Sequence, residues 1–493
     1  CWQGSGCACS QEAGDCLMKV LFAASEVVPF YKTGGLGDVA GALPNALNAQ
    51  GEDVRVVAPY YHEIFPEKYR DQLMDLHWFT VWINNHEEYA GVKTMRLNGV
   101  IYYFIDNQSY FSGKKLYEHW NDGERFAFFQ LAVIEMMQEI DFIPDVLHAN
   151  DWHTAMIPAL LKTCYAWQQP LQQIKTLLTI HNMQFQGAYA PETLQTFFDL
   201  DWNLYASGEA RFGDGSNWLK TAMVFADRIN TVSPTYAEEI KTPEFGEHLD
   251  PVLRMYEGKL SGIVNGVDTE RYNPATDPDL PFNYDATDMS GKEKDKHALQ
   301  DEFGLPHAAG PLMVMVSRLT PQKGVHLLAE ALPYFLATHD AQVVILGTGI
   351  PELEGQLTNL AAHYPDQLRV IIDFDVHLAQ RMYAAADMFL MPSAFEPCGI
   401  SQMMAQLYGT LPLVHEVGGL CDTVVPYNEV SGEGTGFGFK QFDASTLGWM
   451  MDYAQQTFLN KPEAWRSLQE QAMAVDVSWT QSANAYRELY EQL

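Results

Sequence analysis

Short apolar runs recur along the chain, each closed by a polar or glycine-rich turn and followed by a stretch with helical spacing. The first is KVLFAA at 19–24, which leads through a Gly-rich loop to a helix expected over 38–50 and then to DVRVVAP at 53–59. Runs this short, bounded by turn residues and rich in β-branched side chains, predict buried strands. The same order returns at DVLHAND (145–151), with a helix from about 154, at TLLTIHN (176–182) and at ADRINTVSP (226–234). Strands that alternate with helices predict a parallel sheet covered on both faces, the doubly wound α/β class.

The pattern then restarts. PLMVMVSRL (311–319), AQVVILGTG (341–349), LRVIID (368–373), ADMFLMPS (386–393) and TLPLVHEV (410–417) read as five further strands with helices between them. The expectation is therefore two Rossmann-like domains, 18–262 and 263–470, followed by a C-terminal helical segment at 471–493. The polar stretch 273–291, rich in Pro, Asp and Asn, reads as a loop beside the boundary. Open parallel sheets bind ligands beyond the carboxyl ends of their strands, where the strand order reverses. Two such domains would put those ends on the two sides of one cleft.

Charge and composition narrow the partners. The 493 residues carry 30 Lys and Arg against 63 Asp and Glu, a formal charge of −33. That balance argues against nucleic acid and against an anionic membrane surface, and no apolar run reaches the roughly 20 residues that span a bilayer. An anionic ligand would need a local basic island. Of the 7 cysteines, Cys1, Cys7, Cys9 and Cys16 crowd the start, while Cys164, Cys398 and Cys421 are scattered through the remainder. The body of the chain thus reads as a reduced, cytoplasmic protein. Residues 1–17 lack the pattern of a signal or transit peptide. They read as a disordered or non-native extension with Met18 as the start, and their spacing is not the paired form of a zinc site.

Several loops after predicted strands carry candidate chemistry. Lys32-Thr33-Gly34-Gly35-Leu36-Gly37-Asp38 follows the first strand and opens a helix. Its glycines permit close backbone approach, and helix N–H groups suit a phosphate or a sugar hydroxyl; a tight turn capped by Asp38 is the alternative. It is neither a Walker loop nor a dinucleotide fingerprint. Arg318 and Lys323 lie five apart at a strand-to-helix turn, as a diphosphate clamp or a solvated pair. Glu396-Pro397-Cys398-Gly399-Ile400-Ser401 places a carboxylate beside a helix start. Cys398 reads as a buried small residue, with no His near it in sequence to activate a nucleophile. His153, within HANDWH, and Asn182, after His181, also follow strands. Two His five apart are not a helical zinc pair, and hydrogen bonding to carbohydrate with Trp152 as a platform fits them better.

The motifs KTGGLGDV, DWH, HNMQFQG, TVSP, GIVNGVD, SRLTPQKG, GTG, FEPCG, YGTLPLV and GGLCDTV resemble, in order and spacing, the bacterial glycogen synthases and plant starch synthases of glycosyltransferase family 5. The resemblance covers about 18–490. It implies a GT-B fold, with two Rossmann-like domains facing across a deep cleft and the last helix crossing back to the first domain. It also implies a hexosyltransferase that moves glucose from ADP-glucose to the non-reducing end of an α-1,4-glucan, with retention, elongating glycogen or a maltooligosaccharide. No metal and no cofactor are expected. Carried over, Lys32, Gly34, Gly35 and Gly37 form the loop touching donor and acceptor, and Asp38 is similar to a donor-binding Asp. His153 resembles the residue that meets the glucose, Asn265 a sugar-hydroxyl contact, and Phe374 the aromatic that stacks on adenine. Arg318 and Lys323 match the diphosphate clamp, Glu396 the sugar-pocket acid, and Gly399, Ile400 and Ser401 the segment of backbone phosphate contacts.

Two departures stand out. Asn121 occupies a place where relatives carry an acid, which leaves Asp122 as the charge there, and Met404 stands where broader retaining transferases have a second Glu. A two-carboxylate glycosidase mechanism is therefore not expected. The alternatives are a UDP-glucose enzyme, a granule-bound starch-type enzyme, or a non-catalytic glucan-binding protein. The last should have lost Lys32, Arg318, Lys323 or Glu396, all of which are present. Oligomeric state is not legible.

Overall fold

The computed structural model describes residues 17–493. The cysteine-rich extension expected at 1–17 lies outside the described residues, apart from Leu17. Strands of the N-terminal half are β1 (Lys19–Ala23), β2 (Asp53–Pro59), β3 (Met74–Ile83), β4 (His86–Leu97), β5 (Val100–Asp106), β6 (Val146–Asn150), β7 (Lys175–Ile180), β8 (Ala188–Tyr189), β9 (Arg211–Phe212), β10 (Gly215–Asn217), β11 (Arg228–Thr231) and β12 (Leu260–Gly262). They build a nine-stranded sheet of order β12-β11-β7-β6-β1-β2-β5-β4-β3 and a small sheet β8-β10-β9. The pairs β1–β2, β1–β6, β2–β5 and β11–β12 are parallel.

The antiparallel edge, β5-β4-β3, is an addition to the expected parallel sheet. Its turns are of the type I′ kind: Asn84 and Asn85 both have positive φ, as do Asn98 and Gly99. β3 exposes Met74, Leu76, Trp78 and Trp82 on its outer face, which blurs the polar and apolar alternation that marks a half-buried strand.

The C-terminal strands are β13 (Leu312–Val316), β14 (Gln342–Leu346), β15 (Leu368–Ile371), β16 (Met388–Met391), β17 (Leu411–His415) and β18 (Phe437–Phe439). They form a six-stranded sheet of order β15-β14-β13-β16-β17-β18, parallel throughout. Both faces are buried, which is why these segments read as continuous apolar runs. Met313, Met315, Val343 and Ile345 pack with Leu328, Leu332, Phe335 and Leu447 on one face. Leu312, Val314, Val344 and Leu346 pack with Leu378, Met382 and Tyr408 on the other. Strand order reverses between β13 and β16, so the Rossmann-like switch point falls at their carboxyl ends.

By contact density the chain divides into two compact units, one of residues up to 177 with 188–216, the other of 178–187 with 217–492. Within the second, the C-terminal helix Trp479–Glu491 is tied to β11 and to the segment after β12. The Asn230 amide donates to the Tyr486 hydroxyl at 2.9 Å, and Ser482 Oγ donates to the Val264 carbonyl at 2.7 Å. Among the described residues, no helix is long and apolar enough to cross a membrane.

Asn230 is fully buried, and its weaker alternative acceptor, Thr179 Oγ1, lies at 3.5 Å. Replacing Tyr486 by Phe therefore leaves a buried donor poorly served, and chemical denaturation should report a loss of about 1–2 kcal/mol. An unchanged midpoint would mean that this bond does not help dock the last helix.

Candidate active site

In the first unit, the loop after β1 is organised by a residue that motif reading passed over. Glu26 is buried, and its Oε2 accepts the Thr33 N–H at 2.6 Å and the Thr33 hydroxyl at 2.9 Å. Its Oε1 accepts the N–H groups of Gly34 at 3.2 Å and Gly37 at 3.1 Å. Burial raises its pKa above the usual carboxylate value, and these four bonds offset only part of the rise. Thus donors expected to be open to a phosphate are spent on an internal carboxylate. The helix Gly35–Ala49 starts from this loop. Lys32 folds over its beginning, and Nζ meets both Asp38 oxygens at 2.7 and 2.9 Å. A Cβ on Gly37 would stand 2.6 Å from the Lys32 Cβ, so Gly37 is required for this close approach. Lys32, Gly34, Gly35, Gly37 and Asp38 are therefore gathered on one small, partly exposed feature.

His153 sits on the 3-10 turn Trp152–Thr154 after β6. Its ring is enclosed by Tyr117 at 4.8 Å, Phe126 at 4.5 Å and Trp152 at 4.2 Å. Burial, seconded by the Arg125 charge, lowers its pKa well below the usual value, and Nδ1 has no partner. It is a neutral imidazole with one nitrogen to offer. Tyr117 links this cluster to the previous one, because its hydroxyl bonds to Ser25, the neighbour of Glu26, at 2.7 Å. Trp152 is itself buried, so it backs His153 and presents no open platform. Asp122 is braced into the fold: one oxygen pairs with buried Arg125, the other accepts the His119 N–H at 3.1 Å. Asn121, beside it at the start of helix Asp122–Glu139, makes no capping bond with its side chain.

In the second unit, the switch point carries the densest chemistry. Lys323 ends the 3-10 turn Pro321–Lys323, and its Nζ contacts Glu396 Oε2 at 2.5 Å. Ser393 Oγ donates to the same oxygen at 3.1 Å. The two loops are sewn together: the Ala394 N–H donates to the Gln322 backbone carbonyl at 2.7 Å, and the Gln322 side-chain amide to the Phe395 carbonyl at 3.3 Å. Gly324 has φ +68°, and a Cβ there would stand 1.8 Å from the Pro392 carbonyl. A cavity of about 100 Å³ lies beside the pair, lined by Ser317, Lys323, Met391, Ser393 and Ser401 among others. Arg318, on the loop that leads into this turn, is exposed and touches Gln322 at 3.4 Å.

Around this pair, Gly399 has φ +72° and Ile400 begins the helix Ser401–Leu407. Burial pushes the Cys398 thiol up to about 12, so it is no nucleophile at neutral pH. Asn265 is buried with Oδ1 unpartnered. Phe374, on the loop after β15, is 80% exposed. Asn182 closes a turn by accepting the Gln184 N–H at 3.0 Å, next to His181, whose pKa burial lowers to about 3. Among the described residues, no group of three or more His, Cys, Asp or Glu is placed to hold a metal ion.

Residues 19–255 match the family described as starch synthase catalytic domain, and 300–468 match glycosyl transferases group 1. The chain is 53% identical over 479 residues to the glycogen synthase of Lacticaseibacillus casei (strain BL23), covering 97% of this chain and 99% of that one. It belongs to the glycogen and starch synthase family. The glycogen synthase of Streptococcus gordonii (strain Challis) is 54% identical over 477 residues, covering 97% and 100%. The catalytic domain of starch synthase IV from Arabidopsis thaliana, solved with ADP and acarbose, superposes with a TM-score of 0.89 at 33% identity, covering 97% of this chain and 99% of that one. A sucrose-phosphate synthase from Thermosynechococcus elongatus, 19% identical with a TM-score of 0.59 and covering 96% and 98%, shares the fold. The chain is thus a GT-B glucosyltransferase.

Three residues of this family member escaped sequence reading: Glu26, Ser393 and Tyr117. Glu26 had a signal, since it is the one charge in the apolar stretch 20–31. Ser393 and Tyr117 had none, because their roles depend on loops distant in sequence. A Gln at position 26 offers a single acceptor oxygen and turns an NH2 group toward N–H donors. Glu26→Gln should therefore release the Lys32 loop and slow glucosyl transfer about 10- to 100-fold, measured as initial rate. A rate within twofold of wild type would show that the loop holds itself.

Proposed function

We propose that the protein transfers glucose from ADP-glucose to the non-reducing end of an α-1,4-glucan, with retention, and so elongates glycogen. The observation that carries this reading is the Lys323–Glu396 pair at the switch point, with Arg318 on the loop that leads into the Lys323 turn. Arg318 and Lys323 supply the basic island that an acidic chain needs for a diphosphate. The ADP in the Arabidopsis starch synthase structure supports adenine as the base, with Phe374 open for stacking.

The chemistry is a substitution on one face of the sugar. The bond from C1 to the phosphate oxygen breaks, the acceptor O4 forms the new bond to C1, and its proton passes to an oxygen of the leaving ADP. Arg318 and Lys323 neutralise the charge that grows on the diphosphate. Ser393 and Lys323 both bind Oε2 of Glu396, which leaves Oε1 for a sugar hydroxyl. In the first unit, His153, kept neutral, has an unpartnered Nδ1 that can bond a sugar hydroxyl without adding charge. Asn265 offers its unpartnered carbonyl oxygen, and Gly399, Ile400 and Ser401 offer backbone around the phosphate. In the first unit, the Lys32–Asp38 pair is the polar feature open to a ligand, and Asp122 braces its own loop through Arg125. Arg318 and Lys323 supply the positive charge that a metal would otherwise bring to the diphosphate, so the reaction is written without a metal or cofactor. The same reading places the enzyme in the cytoplasm, with a neutral glucan as its polymer partner.

Purified protein incubated with glycogen and labelled ADP-glucose or UDP-glucose tests this directly. Incorporation should come from ADP-glucose, and Lys323→Ala should reduce kcat by about 100-fold or more. Arg318→Ala should raise the donor KM about tenfold, the scale of one lost charge-assisted bond. Incorporation from neither donor would overturn the reading.

A further inference from the structure

Two short helices of the second unit, Pro234–Glu239 and Gly418–Thr423, cap each other. The Gly418 N–H donates to Glu239 Oε1 at 2.8 Å. In return, the Thr235 N–H donates to Asp422 Oδ2 at 3.0 Å and the Thr235 hydroxyl to Asp422 Oδ1 at 2.6 Å. Each carboxylate stands near the end of its own helix and serves the first turn of the other, so the two run antiparallel. The Gly418–Thr423 helix has no side-chain cap from its own N-cap residue, Val417. Glu239 supplies what that terminus lacks.

The second face of this helix presses on the catalytic loop. Gly419 N–H donates to the Glu396 carbonyl at 3.0 Å. A Cβ on Gly418 would stand 2.1 Å from that carbonyl, and one on Gly419 2.3 Å from the Cys398 carbonyl. Bare backbone therefore lies directly on the main chain that carries Glu396. On the side of helix Ser401–Leu407, the Gln402 amide donates to the Cys398 carbonyl at 3.2 Å and to Thr423 Oγ1 at 2.9 Å. The Gln406 amide donates to the Thr423 carbonyl at 2.9 Å. The helix is thus a spacer, fixed at its start by Glu239 and at its end by Gln402, Gln406 and Asp422.

We propose that Glu239 and Asp422 are positioning residues of the transfer reaction: their clasp sets the Gly418–Thr423 helix, and through it the Glu396 main chain relative to Lys323. The proposal rests on the glucosyl-transfer reading above. Glu239 keeps its second oxygen buried and unpartnered, and burial raises its pKa. A group held at that cost for stability alone would be a poor choice, since an apolar side chain could fill the space. What an apolar side chain cannot do is hold the Gly418 N–H.

The test compares wild type, Glu239→Ala, Glu239→Gln and Thr235→Val in the same glucan-transfer assay, with kcat expressed per folded molecule from circular dichroism. Glu239→Ala should lower kcat about tenfold or more while the donor KM stays within about twofold, because Arg318 and Lys323 still bind the diphosphate. Glu239→Gln, whose carbonyl can accept the Gly418 N–H, should recover most of that loss. If Glu239→Ala does not fold, Thr235→Val carries the test and should lower kcat by about threefold, the scale of one weakened hydrogen bond. A folded Glu239→Ala with wild-type kcat, or failing that a Thr235→Val with wild-type kcat, overturns the proposal. Wild-type protein that transfers no glucose overturns the underlying reading instead.

Discussion

Lys323 and Glu396 can occupy a nearly dry position only because each neutralises the other. Their side chains are 15% and 9% exposed, and removing water from either charge alone would cost several kcal/mol. Much of the second unit can be understood as the scaffold that keeps this contact at 2.5 Å. β13 and β16 are neighbours in the six-stranded sheet and deliver the two loops from adjacent carboxyl ends. Gly324 lets the following helix start directly beneath Pro392, and the Gln322 bonds to Ala394 and Phe395 lock the loops in register. The Glu396 carbonyl is held by Gly419 on its other side. A cation held this way is oriented by the fold itself, and such preorganisation is the condition for strong electrostatic stabilisation.

The first unit solves the opposite problem. Its Gly-rich loop must stay ordered without a ligand, and the buried Glu26 carboxylate does this by taking four donors from residues 33–37. Lys32 is left paired only with Asp38, on a partly exposed surface where such a pair contributes little and is readily exchanged for a ligand. Here an internal anion orders the loop, while the partly exposed cation remains available. The formal charge of −33 makes this economy of cations a general feature of the chain.

Much of the fold was legible because both sheets are mainly parallel and buried. Ten short runs, from 19–24 to 410–417, became strands within a few residues of their expected limits. The edge hairpins at 74–106 were not recognised, although Asn98-Gly99 is a turn signal, because the exposed Trp78 and Trp82 break the alternation that would have marked them. At the site, residues adjacent in sequence were found together: Lys32 with Asp38, and Gly399 through Ser401 at one helix start. The contact between Lys323 and Glu396 spans 73 residues and follows from sheet order, which no local pattern encodes. Trp152 was misjudged as a platform for a related reason: burial depends on neighbours such as Phe126, brought in by a separate helix.

The central claim is that Lys323 and Glu396 act as one unit, and a double-mutant cycle measures this directly. Values of kcat/KM would be compared for wild type, Lys323→Ala, Glu396→Gln and the double variant in glucan transfer. The paired geometry predicts strong non-additivity, with the double variant no slower than the worse single one by more than about threefold. Losses that simply multiply would show that the two residues contribute independently, and would contradict the account.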